Sequence, residues 1–159
     1  LITRMFTHTG PRRGDVFAES SFAKQIVLIE KGLIKPSIQV GNLKSLRTIA
    51  DVRDAVEAYF LLVTKAKKYG EAYNIGGEYF CEIGDILNFL IDRSTFKEKI
   101  KITIDKKRLR PIDADLQIPN SNKFKKQFKW KPKYKFETTM NDLLDYWRNK
   151  IDKDGYLKR

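Results

Sequence analysis

The chain has 159 residues, a formal net charge of +12, 42% hydrophobic and 12% aromatic residues. That length and apolar content suit a globular fold with a buried core and exclude a fibrous or disordered chain. The lone Cys81 cannot form an internal disulfide, one cysteine with one histidine cannot build an ordinary structural zinc site, and no apolar run reaches the ~18 residues of a membrane helix.

Residues 1–6 (Leu-Ile-Thr-Arg-Met-Phe) read as a strand that needs neighbours, and with no initiator methionine the chain reads as the later part of a longer protein. The strand should end near Phe6 in an irregular loop, because Gly10-Pro11 and Gly14 punctuate the chain just beyond it. Arg12 and Arg13 in that loop suit a phosphate or carboxylate, or a solvated turn. From 19 to 32, Phe22, Ala23, Ile26, Val27 and Ile29 fall on one side at helical spacing, with Ser20 or Ser21 at the start and Gly32 at the end. Ser21 and Lys24 near that start could hold a phosphate at the helix's positive end, or Lys24 could face solvent.

Residues 37–40 form a short strand. Residues 51–63 then place Val52, Ala55, Val56, Tyr59 and Val63 at intervals of three and four, a second helix with Asp51 at its N-terminal end. Residues 72–75 read as a strand stopped by Gly76-Gly77. Ile83, Ile86, Leu87 and Leu90 mark a third helix, residues 100–104 alternate as a strand, and Met140, Leu143, Leu144 and Trp147 mark a last helix. The class is α/β.

Charge is concentrated between Lys97 and Lys135, where fourteen basic residues face four acids and account for ten of the twelve net charges. Phe124, Phe128, Trp130 and Tyr134 are interleaved with lysines there, which would suit a single-stranded nucleic-acid surface. No nucleic-acid motif accompanies them, and the alternative is a lysine-rich face whose aromatics point inward.

Three segments carry a family resemblance. His8-Thr9-Gly10-Pro11-Arg12-Arg13-Gly14 resembles the loop after the sixth Rossmann strand of extended short-chain dehydrogenase/reductases acting on nucleotide sugars, most closely the GDP-mannose 4,6-dehydratases. Val40-Gly41-Asn42-Leu43-Lys44-Ser45-Leu46-Arg47, continuing to Asp54, resembles their Gly-Asn-Leu segment, with Thr48 where Asp is usual. Arg108-Leu109-Arg110-Pro111-Ile112-Asp113, followed by Asn122-Lys123 and Trp130-Lys131-Pro132, resembles their Arg-Pro-x-Glu/Asp element, short Ser-Lys helix and Gly-Trp-x-Pro turn, with Lys129 replacing the usual Gly.

The resemblance runs from residue 1 to about 151. It implies the C-terminal part of an extended Rossmann-like fold: one partial domain over 1–159, with the last strands of the Rossmann sheet and a nucleotide-sugar-binding subdomain. It implies GDP-mannose or a related GDP-sugar as ligand and NADP as cofactor of the full-length parent. Arg47 and Arg110 would take the diphosphate, Gly41 and Asn42 would lie beside the nucleobase, and Asp113 would accept from ribose hydroxyls. Thr7, where the family has Asn, would bond the substrate, and His8, Arg12 and Arg13 would border the cofactor. Residues 136–148 resemble the closing helix and should only pack.

Tyr146-Trp147-Arg148-Asn149-Lys150 satisfies Tyr-x-x-x-Lys, but the catalytic pair of such enzymes belongs before the strand at 1–6, so the match is a coincidence. No Gly-x-x-Gly-x-x-Gly cradle for a dinucleotide occurs. The chain alone should therefore hold no catalytic residue and no metal. The implied reaction moves hydride from C4 of GDP-mannose, eliminates water across C5 and C6 and returns the hydride to C6; GDP-4-keto-6-deoxymannose reductases share the same segments almost equally well. Other readings are a basic RNA-binding module and a catalytically inactive partner subunit. The expected setting is cytoplasmic, without nucleic acid or membrane, in a homo-oligomer. The strands at 1–6 and 72–75 would leave an unpaired sheet edge.

Overall fold

The computed structural model describes residues 1–68, 70–109 and 116–152. In chain order the elements are β1 (Ile2–Met5), β2 (His8–Thr9), α1 (Ala18–Glu30), β3 (Ser37–Val40), β4 (Leu46–Asp51), α2 (Val52–Lys65), β5 (Ala72–Ile75), β6 (Tyr79–Glu82) and α3 (Ile83–Asp92). Next come β7 (Lys101–Ile104), a 3-10 turn at Lys106–Arg108, β8 (Leu116–Gln117), α4 (Asn122–Phe128) and α5 (Phe136–Lys150). β1 pairs with β5 in parallel, Ile2 opposite Ala72 and Met5 opposite Ile75, with no third strand among the described residues. β4 lies between β2 and β8, both parallel to it, and its antiparallel partner β6; β3 and β7 form a separate parallel pair. The two strands expected to want neighbours are thus each other's neighbour, and among the described residues each keeps one open edge.

Two apolar cores hold these elements. The larger gathers Phe22, Ile26 and Ile29 of α1, Ile86, Leu87 and Leu90 of α3, and Met140, Leu143 and Leu144 of α5 against Ile38 and Val40 of β3. Each such side chain contributes about 1.5–3 kcal/mol by leaving water. The smaller packs Ala58 and Leu62 of α2 against Tyr73 and Ile75 of β5 and against Phe124, Phe128 and Trp130. Tyr73 meets Phe124 and Phe128 edge-on, with centroids 5.8 and 5.5 Å away.

Helix ends obey local chemistry. α1 closes as expected at Gly32, whose φ of 70° lies in the left-handed region; Gly32 N–H bonds Ile29 O and Leu33 N–H bonds Leu28 O. Its start differs: the N-cap is Phe17, and Ser20 and Ser21 lie buried inside the first turn. The reason is that both serine hydroxyls are engaged in tertiary bonds rather than in capping the helix. α2 is capped by Asp51, which accepts from Arg53 N–H at 2.8 Å. Of its apolar positions, Ala55, Ala58 and Leu62 turn inward, while Val56, Tyr59, Phe60 and Val63 are exposed.

In the basic segment, Phe124, Phe128 and Trp130 are buried, and the ring of Tyr134 is covered by the Arg53 guanidinium 3.7 Å from its centroid. Lys123, Lys125 and Lys133 pair with Glu71, Glu78 and Glu57. Phe124, Phe128 and Trp130 therefore serve as core, whereas Tyr134 stays exposed beneath Arg53. α5 is tied down as well as packed. Arg53 grips Asp51 through two bonds (2.8 and 2.7 Å) and reaches Asp142 at 2.7 Å, and Thr139 Oγ1 donates to Asp51. Arg148 holds Glu30 through two bonds of 3.0 and 2.8 Å. Burial pushes the Asp51 and Glu30 carboxyls up, but their donors outweigh it and hold both below the usual carboxylate range. Tyr146 packs partly buried against the larger core, edge-on to Trp147.

Among the described residues no helix is long and apolar enough to cross a membrane, and no group of three or more His, Cys, Asp or Glu is placed to hold a metal.

Candidate functional site

The three signature segments converge on one cavity of about 760 Å³, walled by the loop before α1, residues 41–47, the start of α3, the 3-10 turn and β8. Arg13, Arg47, Lys107 and Arg108 bring positive charge to it, Thr7, Asn42, Ser45 and Gln117 polar groups, and Phe17, Phe22 and Ile83 apolar surface. A concave site of that size with a few convergent polar groups is typical of small-molecule binding. A second cavity of about 420 Å³ is lined by Arg4, Met5, Phe6, Thr7, His8, Arg13 and Gln117. Thr7, Arg13 and Gln117 belong to both walls.

Arg13 is fixed by its surroundings. Trp147 Nε1–H donates to Ser20 Oγ (3.0 Å) and Ser20 O–H donates to the Arg13 carbonyl (2.6 Å), so α5 reaches through α1 to the arginine loop. The Arg13 guanidinium lies 3.3 Å from the Phe17 ring centroid, and its Nε is 3.5 Å from Glu19 Oε1. Arg12 behaves differently: its φ of 71° makes it the sharp point of the turn, exposed and off both cavity walls. His8 lines the second cavity, its Nδ1 3.2 Å from Phe6 O.

Gly41 is required for a reason internal to the chain. A Cβ there would meet the Arg108 carbonyl oxygen at 2.7 Å, so its lack of a side chain lets the 3-10 turn close over the cavity. Asn42 makes two local bonds: Oδ1 accepts from Lys44 N–H and Nδ2 donates to Ser45 Oγ, both at 2.9 Å. Arg47, on β4 opposite Gln117, lines the cavity and donates to Leu46 O. Thr48, standing where the family pattern has Asp, is buried and donates to Gln117 O at 2.8 Å, tying β4 to β8.

Two expected ligands stand behind the wall. Ser21 Oγ accepts from Arg108 Nη1 at 2.9 Å and so steadies a wall residue. Lys24 pairs with Asp15, and its hydrogen bond holds the Asp15 carboxyl below the usual range against partial burial. Arg110 and Asp113 lie outside the described residues. The residues that sequence reasoning missed are Glu19, Ser45, Lys107, Arg108 and Gln117 on the wall, and Ser20 and Trp147 behind it. Arg108 opens the Arg-Leu-Arg-Pro motif, two positions before Arg110, the arginine expected to bind. Nothing in the sequence marked Ser20 and Trp147 as partners, being 127 positions apart.

The sequence model of GDP-mannose 4,6 dehydratase matches residues 1–143. The chain belongs to that family. It is 25% identical over 151 residues to the GDP-6-deoxy-D-mannose reductase of Pseudomonas aeruginosa, covering 95% of this chain and 49% of that protein. To GDP-mannose 4,6 dehydratase 1 of Arabidopsis thaliana it is 27% identical over 141 residues, covering 89% and 38%. The chain thus spans half or less of the length of these relatives. Among solved structures, that of RMD from Pseudomonas aeruginosa with NADPH superposes with a TM-score of 0.83 at 24% identity, covering 94% of this chain and 48% of that one. The UDP-glucuronic acid 4-epimerase of Bacillus cereus, with UDP-glucuronic acid and NAD, superposes at 0.79 and 22%, covering 94% and 45%. The fold is that of part of an extended short-chain dehydrogenase/reductase, an α/β Rossmann-like architecture whose relatives bind a nicotinamide cofactor.

Proposed function

We propose that this family member forms the GDP-sugar-binding part of a sugar-nucleotide 4,6-dehydratase, with GDP-mannose as substrate and GDP-4-keto-6-deoxymannose as product. The observation that carries this reading is a cavity whose lining includes four cationic side chains, Arg13, Arg47, Lys107 and Arg108, beside the apolar surface of Phe17, Phe22 and Ile83. Arg47 and Arg108, which line the cavity, would bind the diphosphate, because a guanidinium can donate two parallel bonds to it. Gly41 and Asn42 would border the nucleobase and Thr7 the sugar. Arg110 would be a second diphosphate ligand and Asp113 a ribose acceptor, with Ser21 and Lys24 acting through Arg108 and Asp15. In domain terms, β1 and β5 would be strands of the Rossmann sheet and the remainder the nucleotide-sugar subdomain.

The second cavity is the proposed cofactor side. His8 and Arg13 on its wall fit the edge of a nicotinamide dinucleotide, with Arg12 beside them; we take NADP as the cofactor. Exchange of hydride with C4 of the sugar is the chemistry a nicotinamide supplies. The residues of this chain hold and orient the substrate, and Thr7 and Arg13, common to both walls, bring the two ligands together. We place the parent enzyme in the cytoplasm as a homo-oligomer.

Calorimetric titration of the chain with GDP tests the binding: Arg47→Ala should weaken it about tenfold or more, and no binding by the unmutated chain would refute the reading. For the parent enzyme, GDP-mannose with catalytic NADP should yield a C6 methyl doublet by proton NMR with no net change in NADPH. The likeness to the Pseudomonas aeruginosa reductase supports a second reading, in which GDP-4-keto-6-deoxymannose is consumed with stoichiometric NADPH.

A further inference from the structure

We propose that Glu19 is a specificity residue, a hydrogen-bond acceptor for a hydroxyl of the sugar carried by the nucleotide; this rests on the GDP-sugar reading of the larger cavity. Glu19 is 4% exposed, lies on the wall of that cavity, and its Oε1 receives no hydrogen bond in the structure. A buried carboxylate oxygen without a donor is costly, so such an atom calls for one. The cation beside it, Arg13, does not supply it: Nε stands 3.5 Å from Oε1, beyond ordinary hydrogen-bond distance, and is itself buried without a partner. The Arg13 guanidinium is stacked on Phe17, and the Ser20–Trp147 relay holds the Arg13 carbonyl.

The chemistry of the missing donor is set by charge and position. An ionised carboxylate only accepts, and it repels the diphosphate, so its partner is a neutral, donor-bearing part of the ligand. Arg13 lines both cavities, whereas Gly41, Asn42, Lys107 and Arg108 line the larger one alone. Glu19, next to Arg13, therefore sits toward the junction of the two cavities. The part of a nucleotide sugar that must reach that junction, to meet the cofactor, is the sugar, and a hexose offers hydroxyl donors.

The test is calorimetric titration of the 159-residue chain and of its Glu19→Leu variant with GDP and with GDP-mannose. The unmutated chain should bind GDP-mannose about tenfold more tightly than GDP. Glu19→Leu, which removes the acceptor, should bring GDP-mannose down to the level of GDP while GDP itself stays within about twofold, which also shows that the variant is folded. Equal affinity of the unmutated chain for the two ligands overturns the proposal without recourse to any variant. A loss shared equally by GDP and GDP-mannose overturns it in favour of a contact to the nucleobase or ribose. Binding of neither ligand by the unmutated chain overturns the GDP-sugar reading and this inference with it.

Discussion

Replacing Ser20 by alanine tests the link between the closing helix and the arginine loop. The Ser20 hydroxyl accepts from Trp147 Nε1 at 3.0 Å and donates to the Arg13 carbonyl at 2.6 Å, and Ser20 is fully buried. Its loss strands a buried indole N–H, at about 1–3 kcal/mol, and removes an ordinary bond to Arg13 worth about 0.5–1.5 kcal/mol. Ser20→Ala should therefore cost roughly 2–4 kcal/mol, read as a lower urea midpoint at unchanged slope. In a Trp147→Phe background the indole donor is already gone. There Ser20→Ala should cost only the smaller part, about 0.5–1.5 kcal/mol, so the double-mutant cycle should show coupling of about 1 kcal/mol or more. An equal cost in both backgrounds would refute the relay, and with it the account of how Arg13 is positioned.

Other consequences can be checked independently. Gly41→Ala drives a Cβ into the Arg108 carbonyl, so it should cost about 1–3 kcal/mol in chemical denaturation and weaken GDP binding by displacing Arg108. Lys129 ends α4 with φ of 51°, in the left-handed region, so Lys129→Gly should raise stability by about 0.5–1 kcal/mol; a loss would contradict that strain. Cys81 is buried on β6 and its thiol is pushed up to about 12, by burial first and by Asp85 second, so alkylation by iodoacetamide at pH 8 should be at least about 100-fold slower in the native chain than in urea. Asp51 and Glu30 are held below the usual carboxylate range, so their contribution is complete above the unfolded carboxyl pKa of about 4 and lost as pH falls through their lower folded values. Asp54, raised mainly by burial, works in the opposite direction and offsets part of that loss. The urea midpoint should drop between pH 5 and pH 3, and a flat profile would contradict the Arg53 and Arg148 clamps.

Periodicity exposed the helices well, because Ile86, Leu87 and Leu90, or Met140, Leu143 and Leu144, face the core at helical intervals. The strands were legible only where they were short apolar runs. β4 and β6 escaped: β4 overlaps the Gly-Asn-Leu signature and is buried along its second half, so it shows no alternation, and β6 comes directly after Gly76-Gly77. α2 reads as amphipathic, but the stripe of Val56, Tyr59, Phe60 and Val63 faces outward, while small Ala55 and Ala58 allow close packing inward. At the site, Thr7, Arg13, Gly41, Asn42 and Arg47 line one cavity. Ser21 and Lys24 stand one layer back, since which side of a helix start faces a ligand depends on what covers the other side. Glu19 could not be found by pattern, because its interest lies in the hydrogen bond it lacks.

The parallel pairing of β1 with β5 has a temporal side. Ile2 and Ala72 are seventy positions apart, and α1, β3, β4 and α2 all intervene. Closing so long a loop costs entropy that two four-residue strands repay only once the intervening helices have condensed. On the ribosome, at about 5–20 residues per second, β1 waits roughly 4–14 s for its partner to be made. The arginine loop begins directly beyond β1, so the wall shared by the two cavities is anchored to a strand whose partner lies seventy positions further along the chain.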